Sequence, residues 1–275
     1  MSVPSSVLRL AAIVLAWGLV LGSVAAQATG RDRIAAFLEV TGFGVALDSI
    51  VLSARDAPAM VGLAPSDFGP AWERIVAELF DKGAMRESAM DILAEALDEE
   101  MLDHATEFYA SDLGRRLVAV ENAAHMRADD SHGAGEALLA RMDPGRRAAL
   151  EAMNDAIDAS GQSLLAAQEI RFRFLMAAAA SGLTEEVPDA DMLRRMLARE
   201  AEAMRADMRA AALANAAQTY RDIPTADLRA YAEALGHPVM ARVYELMNAV
   251  QYEIMAERLE ALALRLGKVP RAQEL

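Results

Sequence analysis

The chain has 275 residues, a formal net charge of −14, 54% hydrophobic residues and no cysteine. Its acidity sets it against nucleic acid and anionic headgroups, and the missing thiols exclude disulfides, thiol catalysis and thiolate metal sites. Lysine occurs only at Lys82 and Lys268, and pairs such as Arg146-Arg147 and Arg194-Arg195 sit among carboxylates rather than in a basic patch.

The first element in chain order is a leader. Arg9 precedes an apolar run from Leu10 to Val24, which ends in Ala25-Ala26-Gln27-Ala28. A charged start, an apolar core and an A-x-A end are the marks of a secretory signal peptide, with cleavage expected after Ala28. The apolar run, about 15 residues, is short of the roughly 20 that span a bilayer. No basic stop-transfer cluster follows it, and there is no cysteine to carry a lipid. The expectation is a periplasmic chain without a membrane anchor, about 247 residues long (275 less the leader's 28), whose charge moves from −14 to −15 as Arg9 leaves.

Ala, Leu, Met, Glu and Arg dominate the remainder, all strong helix formers, and no stretch alternates apolar and polar residues with a period of two. The pattern predicts an all-α chain with helices over 31–53, 69–81, 84–96, 98–109, 112–127, 134–141, 144–159, 161–181, 189–220, 225–235 and 238–266. Gly42 and Gly44 weaken the first of these near its middle. Asp98 and Thr225 read as N-caps, and Asp143-Pro144 puts a capping side chain before a first-turn proline. Gly182 and Gly267 read as stops. Ala128–Gly135 is the most loop-like interior stretch, Glu185–Pro188 reads as a linker, and Lys268–Leu275 as a frayed tail. This divides the chain into a leader (1–28), a first helical half (29–140), connecting helices (141–185), a second half (186–267) and the tail (268–275).

The halves look related. Placing residue n on residue n + 126 aligns Leu97–Ala124 with Ile223–Val250 without a gap. Each segment has a short acidic-capped helix, a tight break and a longer helix. The long helices carry apolar stripes at Leu113, Leu117, Val120, Ala124 and at Val239, Val243, Leu246, Val250, one face of a helix. The short ones carry Leu102, Ala105, Tyr109 and Leu228, Tyr231, Leu235. The expected fold is therefore a multi-helix bundle of two related helical-hairpin halves, an internal repeat.

The break in the first hairpin carries a motif, Phe108-Tyr109-Ala110-Ser111-Asp112-Leu113-Gly114-Arg115-Arg116-Leu117. Ser111 can accept backbone N–H groups of the next helix. Gly114 in its first turn admits a close neighbour, and Arg115 and Arg116 are expected near Glu107 and Asp112. As Met240 stands opposite Gly114 in the repeat, small Ala234 is expected to make room for it where Phe108 is large. The set Phe108, Tyr109, Ser111, Gly114, Arg115 and Arg116 reads as a hairpin lock, with a binding site as the alternative. An acidic helix ending in Phe-Tyr-x-Ser-x-x-Gly-x-basic-Leu resembles the periplasmic family called domain of unknown function 2059, chiefly over Leu79–Ala124. The resemblance implies a small helical envelope domain and brings no established activity or cofactor. The second hairpin departs from the motif, with Ala234-Leu235 for Phe-Tyr, His237 for Ser and Met240 for Gly.

Chemistry is sparse. Of the four histidines, His104 is expected in solvent and His237 at a helix start. His125, Asp129, Asp130 and His132 fall within eight residues and are the one candidate metal set; the polar-loop reading stands beside it. Met192, Met196, Met204 and Met208 recur on one predicted helix with Leu193, Leu197 and Ala201, a pattern expected of core packing rather than of a thioether copper site. No nucleophile motif or phosphate-binding loop is present, and catalytic residues are not identified. The resulting expectation is a non-enzymatic binding or interaction protein of the cell envelope, without a cofactor. Its partner would be an envelope protein, a peptide or a lipid, held in an apolar groove between the halves lined by Met and Leu. The alternative is a metal-binding protein or hydrolase using the 125–132 segment.

Overall fold

A computed structural model describes residues 30–127, 132–184 and 189–270. The leader with its cleavage site, residues 128–131, the 185–188 linker, the end of the tail and the side chain of His132 lie outside the described residues. Among the described residues every element is a helix, and the molecule is an all-α bundle.

The first predicted helix is broken. Helix α1 (Gly30–Val40) and the stretch Phe43–Arg55 diverge by 75°. The bend is at Gly42, whose φ of 74° is left-handed, a region that L side chains avoid. A Cβ there would also come within 2.6 Å of Asn122 Oδ1. Helix α2 (Phe43–Ser49) then tightens into three 3-10 turns, Ile50–Arg55, Ala57–Val61 and Pro65–Phe68. This segment was expected to be helix only as far as residue 53.

The rest follows the predicted order: α3 (Ala71–Leu79), α4 (Lys82–Ala96), α5 (Glu99–Ala110), α6 (Asp112–His125), α7 (His132–Leu139), α8 (Pro144–Ile157), α9 (Gln162–Ser181), α10 (Ala190–Thr219), α11 (Thr225–Leu235) and α12 (Pro238–Leu266). Side-chain caps set most of these starts. Asp81, Asp98, Ser111, Asp143, Asp189 and His237 each accept a backbone N–H at the head of their helix. Helix α9 stops at Gly182, with φ 75°. Thr225 is not a cap: it is the first residue of α11, and Pro224 precedes it with no side-chain bond.

Helix α12 organises the bundle. Its apolar residues lie all round the axis, so it is enclosed rather than laid on a surface. Val243, Ile254, Leu262 and Leu266 are fully buried. Helix α9 packs along it, while α3, α4, α5 and α8 pack on its other sides. The α9 contact is fixed at its edge by Arg173, which reaches Glu253 and Glu260. Helix α11 packs on α8, and α7 packs on α10, where Gly135 lets the helices approach so closely that a Cβ would lie 2.6 Å from the Ala214 carbonyl carbon. No single helix among the described residues is long and apolar enough to cross a membrane.

Candidate functional site

The motif hairpin turns between α5 and α6. Ser111 Oγ accepts the Gly114 N–H at 3.0 Å. Gly114 is buried, and a Cβ on it would lie 2.5 Å from Tyr109 Cα and within contact of the Phe108 carbonyl oxygen. The close approach is therefore to backbone, not to the Phe108 ring. The expected exchange of bulk between Phe108/Gly114 and Ala234/Met240 does not hold, since shortening Phe108 makes no room where Gly114 needs it.

Arg115 binds Asp112 and the Ala110 carbonyl at the surface. Arg116 reaches across to Asp227 on α11 at 2.8 Å. In return Arg242 on α12, its counterpart 126 residues on, pairs with Glu100 on α5 at 2.7 Å. Glu107 holds neither Arg115 nor Arg116. His104, expected in solvent, stacks its ring on His237 at 4.4 Å because α5 and the start of α12 converge.

Where the hairpins meet, tyrosines fill the space. Tyr109 and Tyr231 are almost fully buried, and their hydroxyls are 3.0 Å apart. Tyr244 bonds both, at 2.8 Å to Tyr231. Phe108 is only partly buried and stacks on Tyr231 at 5.8 Å. Tyr220 at the end of α10 donates to Glu121 on α6 at 2.7 Å. Burial pushes all four phenols above their ordinary value. It also raises the Glu121 carboxyl, against hydrogen bonds from Tyr220 and Tyr231 that favour the charged form. The cluster is a filled, hydrogen-bonded seam rather than a groove.

The candidate metal residues are described only in part. Asp129, Asp130 and the His132 side chain lie outside the described residues, and desolvation lowers the His125 pKa. Among the described residues no group of three or more His, Asp or Glu is placed to hold an ion. The methionine stripe is divided, with Met204 and Met208 half-buried. Leu193 and Leu197 bury themselves against Phe172, but Met192 and Met196 are 49% and 39% exposed.

An open cleft lies elsewhere. Its volume is about 750 Å³, and it lies between the first 3-10 turn with Asp56, the head of the third, α3 and the residues just past α6. Val51, Leu52, Trp72 and Val76 give it apolar walls, Arg55 and Asp56 stand exposed at its rim, and Arg127 closes one side. The Arg127 Nε is buried and has no hydrogen-bond partner. Nothing in the sequence pointed here. The wall comes from a 3-10 segment without helical periodicity, and Arg127 enters it from a distant helix end.

No curated protein and no solved structure matches the chain. A match does exist over the region that holds the Gly114 hairpin. Residues 83–142, from α4 through α7, match the model of the family described as an uncharacterized protein conserved in bacteria (DUF2059).

Proposed function

We propose that the protein is exported through its leader and acts in the periplasm as a non-enzymatic binding protein, with the cleft beside Trp72 and Arg127 as its ligand site. The observation that carries this is the Arg127 guanidinium, whose buried Nε stands unpaired at an apolar wall. An unsatisfied buried donor costs roughly 1–3 kcal/mol, a cost that a ligand acceptor would offset. The cleft volume of about 750 Å³ falls in the range of roughly 300–1,000 Å³ typical of small-molecule sites. The test is ligand-induced stabilisation of purified protein by apolar and amphipathic small molecules, repeated with Leu52→Glu, which places a charge on the exposed rim. Stabilisation lost in the variant supports the site; equal stabilisation of both proteins refutes it. Stoichiometric zinc or copper that disappears with His132→Ala would instead favour the metal-binding reading. N-terminal sequencing of the periplasmic fraction tests export: a start at Thr29 is expected, and an intact Met1 in the membrane fraction would refute it.

The two hairpins are, in the same proposal, copies of one unit. Arg116 and Arg242, which correspond at this offset, support this: each reaches an acid near the start of the other hairpin's short helix, Asp227 and Glu100, the two acids standing one register position apart. A crystal structure tests it. Residues 98–124 and 224–250 should superpose at the 126-residue offset, and divergent helix angles would end the idea.

A further inference from the structure

The cleft's chemistry specifies its ligand more narrowly, on the reading that it is a binding site. We infer that it takes a single-chain amphiphile with a carboxylate head, the chain along Val51, Leu52, Trp72 and Val76 and the head on Arg127. Three observations carry this. First, the charge is complementary. In a chain of net charge −14, most of the arginines that line the helix contacts are tied to carboxylates, including Arg116, Arg171, Arg173, Arg242 and Arg265. Arg127 has no side-chain hydrogen bond or ion pair among the described residues, and Arg55 at the rim has none either. A guanidinium offers a planar fork that a carboxylate fills with two parallel bonds. Asp56 at the same rim works against a dianionic head.

Second, the backbone of the wall offers little to a peptide. Lining residues 51–55 lie inside the 3-10 turn Ile50–Arg55, and the Asp56 N–H already goes to the Ala54 carbonyl. Ser53 Oγ donates to the Ile50 carbonyl. A peptide would bury its own amides unpaired, at a cost an acyl chain does not carry. Third, the walls are aliphatic and indole, which suits methylene groups.

The test is calorimetric titration of the purified protein with dodecanoate, dodecanol and dodecyl phosphate below their aggregation concentrations. Dodecanoate is expected to bind once per chain and more tightly than the other two. Arg127→Met should weaken dodecanoate about 10- to 100-fold, the worth of a charge-assisted bond, and leave dodecanol unchanged. Arg127→Lys keeps the charge without the fork and should weaken dodecanoate by less, which covers the case in which the Met variant misfolds. Equal affinity for dodecanoate and dodecanol, or tighter binding of the phosphate, overturns the carboxylate assignment and leaves the cleft reading standing. Failure of all three to bind overturns the cleft reading itself.

Discussion

The two hairpins have the same pattern and solve the same packing problem differently. In the first, α5 and α6 close on each other's backbone at Gly114, and their start is fixed locally by Asp98 accepting from Met101. In the second, Met240 is fully buried at the matching position, and α11 begins without a side-chain cap. Its approach is held from outside. Arg146 on α8 donates to the carbonyls of Tyr220, Arg221 and Ile223 at 2.6–3.2 Å, gripping the turn between α10 and α11. The start of the first hairpin is thus set by its own cap and that of the second by a neighbouring helix. The second also feeds α12, which the rest of the bundle surrounds, so it has neighbours to rely on.

The largest test of that contrast is at the matching positions 114 and 240. Gly114→Leu should cost about 3 kcal/mol or more, because the clash is with backbone that cannot rotate away. Met240→Ala should cost about 2–5 kcal/mol for the opposite reason, a cavity. Urea denaturation reads both. Phe108→Ala alone should cost about 2–3 kcal/mol, less than a fully buried ring, and combining it with Gly114→Met should recover nothing. Recovery would mean that the ring, not the backbone, sets the limit at Gly114.

Next come the approaches. Arg146→Met should cost roughly 2–3 kcal/mol, since it leaves several carbonyls without a charged donor. Asp98→Ala should cost about 1 kcal/mol, and Thr225→Ala only a few tenths. If Thr225→Ala matched Asp98→Ala, the second hairpin would have a local cap after all.

A pH comparison sharpens the seam. Glu121 stands where the second hairpin has buried Met247. Burial raises the Glu121 pKa above the ordinary carboxylate value. Between those two values the folded protein holds the extra proton, so stability falls as pH rises through that window and is regained as pH falls. Glu121→Gln keeps an acceptor for Tyr220 and should flatten this part of the profile, read by urea denaturation from about pH 4 to 7. An unchanged profile would show that the hydrogen bonds from Tyr220 and Tyr231 outweigh the burial. The smallest effect is at Arg115, whose bonds lie at the surface: Arg115→Ala should change stability by roughly 0.5 kcal/mol or less.

Much of this architecture is written in local chemistry. Helical periodicity, Asp and Ser before helix starts, and Gly182 after α9 depend only on residues within a turn of one another. They placed the helices within a few residues and marked Gly42 as a weak point. The small and large residues of the stripes likewise named Tyr109, Leu117, Tyr231 and Val243 as core. What no local pattern contains is which faces meet. His104 stacks on His237, Tyr109 bonds Tyr231 and Tyr244, and Met192 and Met196 stay outside the core, all because of how whole helices are set against one another. The 3-10 turns after α2 carry no period to read, and the cleft they form with Trp72 and Arg127 joins residues far apart in the chain. The sequence by itself determined most of the helices and several of their caps, because short-range hydrogen bonds and apolar spacing decide those. Only the tertiary structure decided the tyrosine seam and the unpaired Arg127, because burial and charge pairing are set by neighbours the chain brings from a distance.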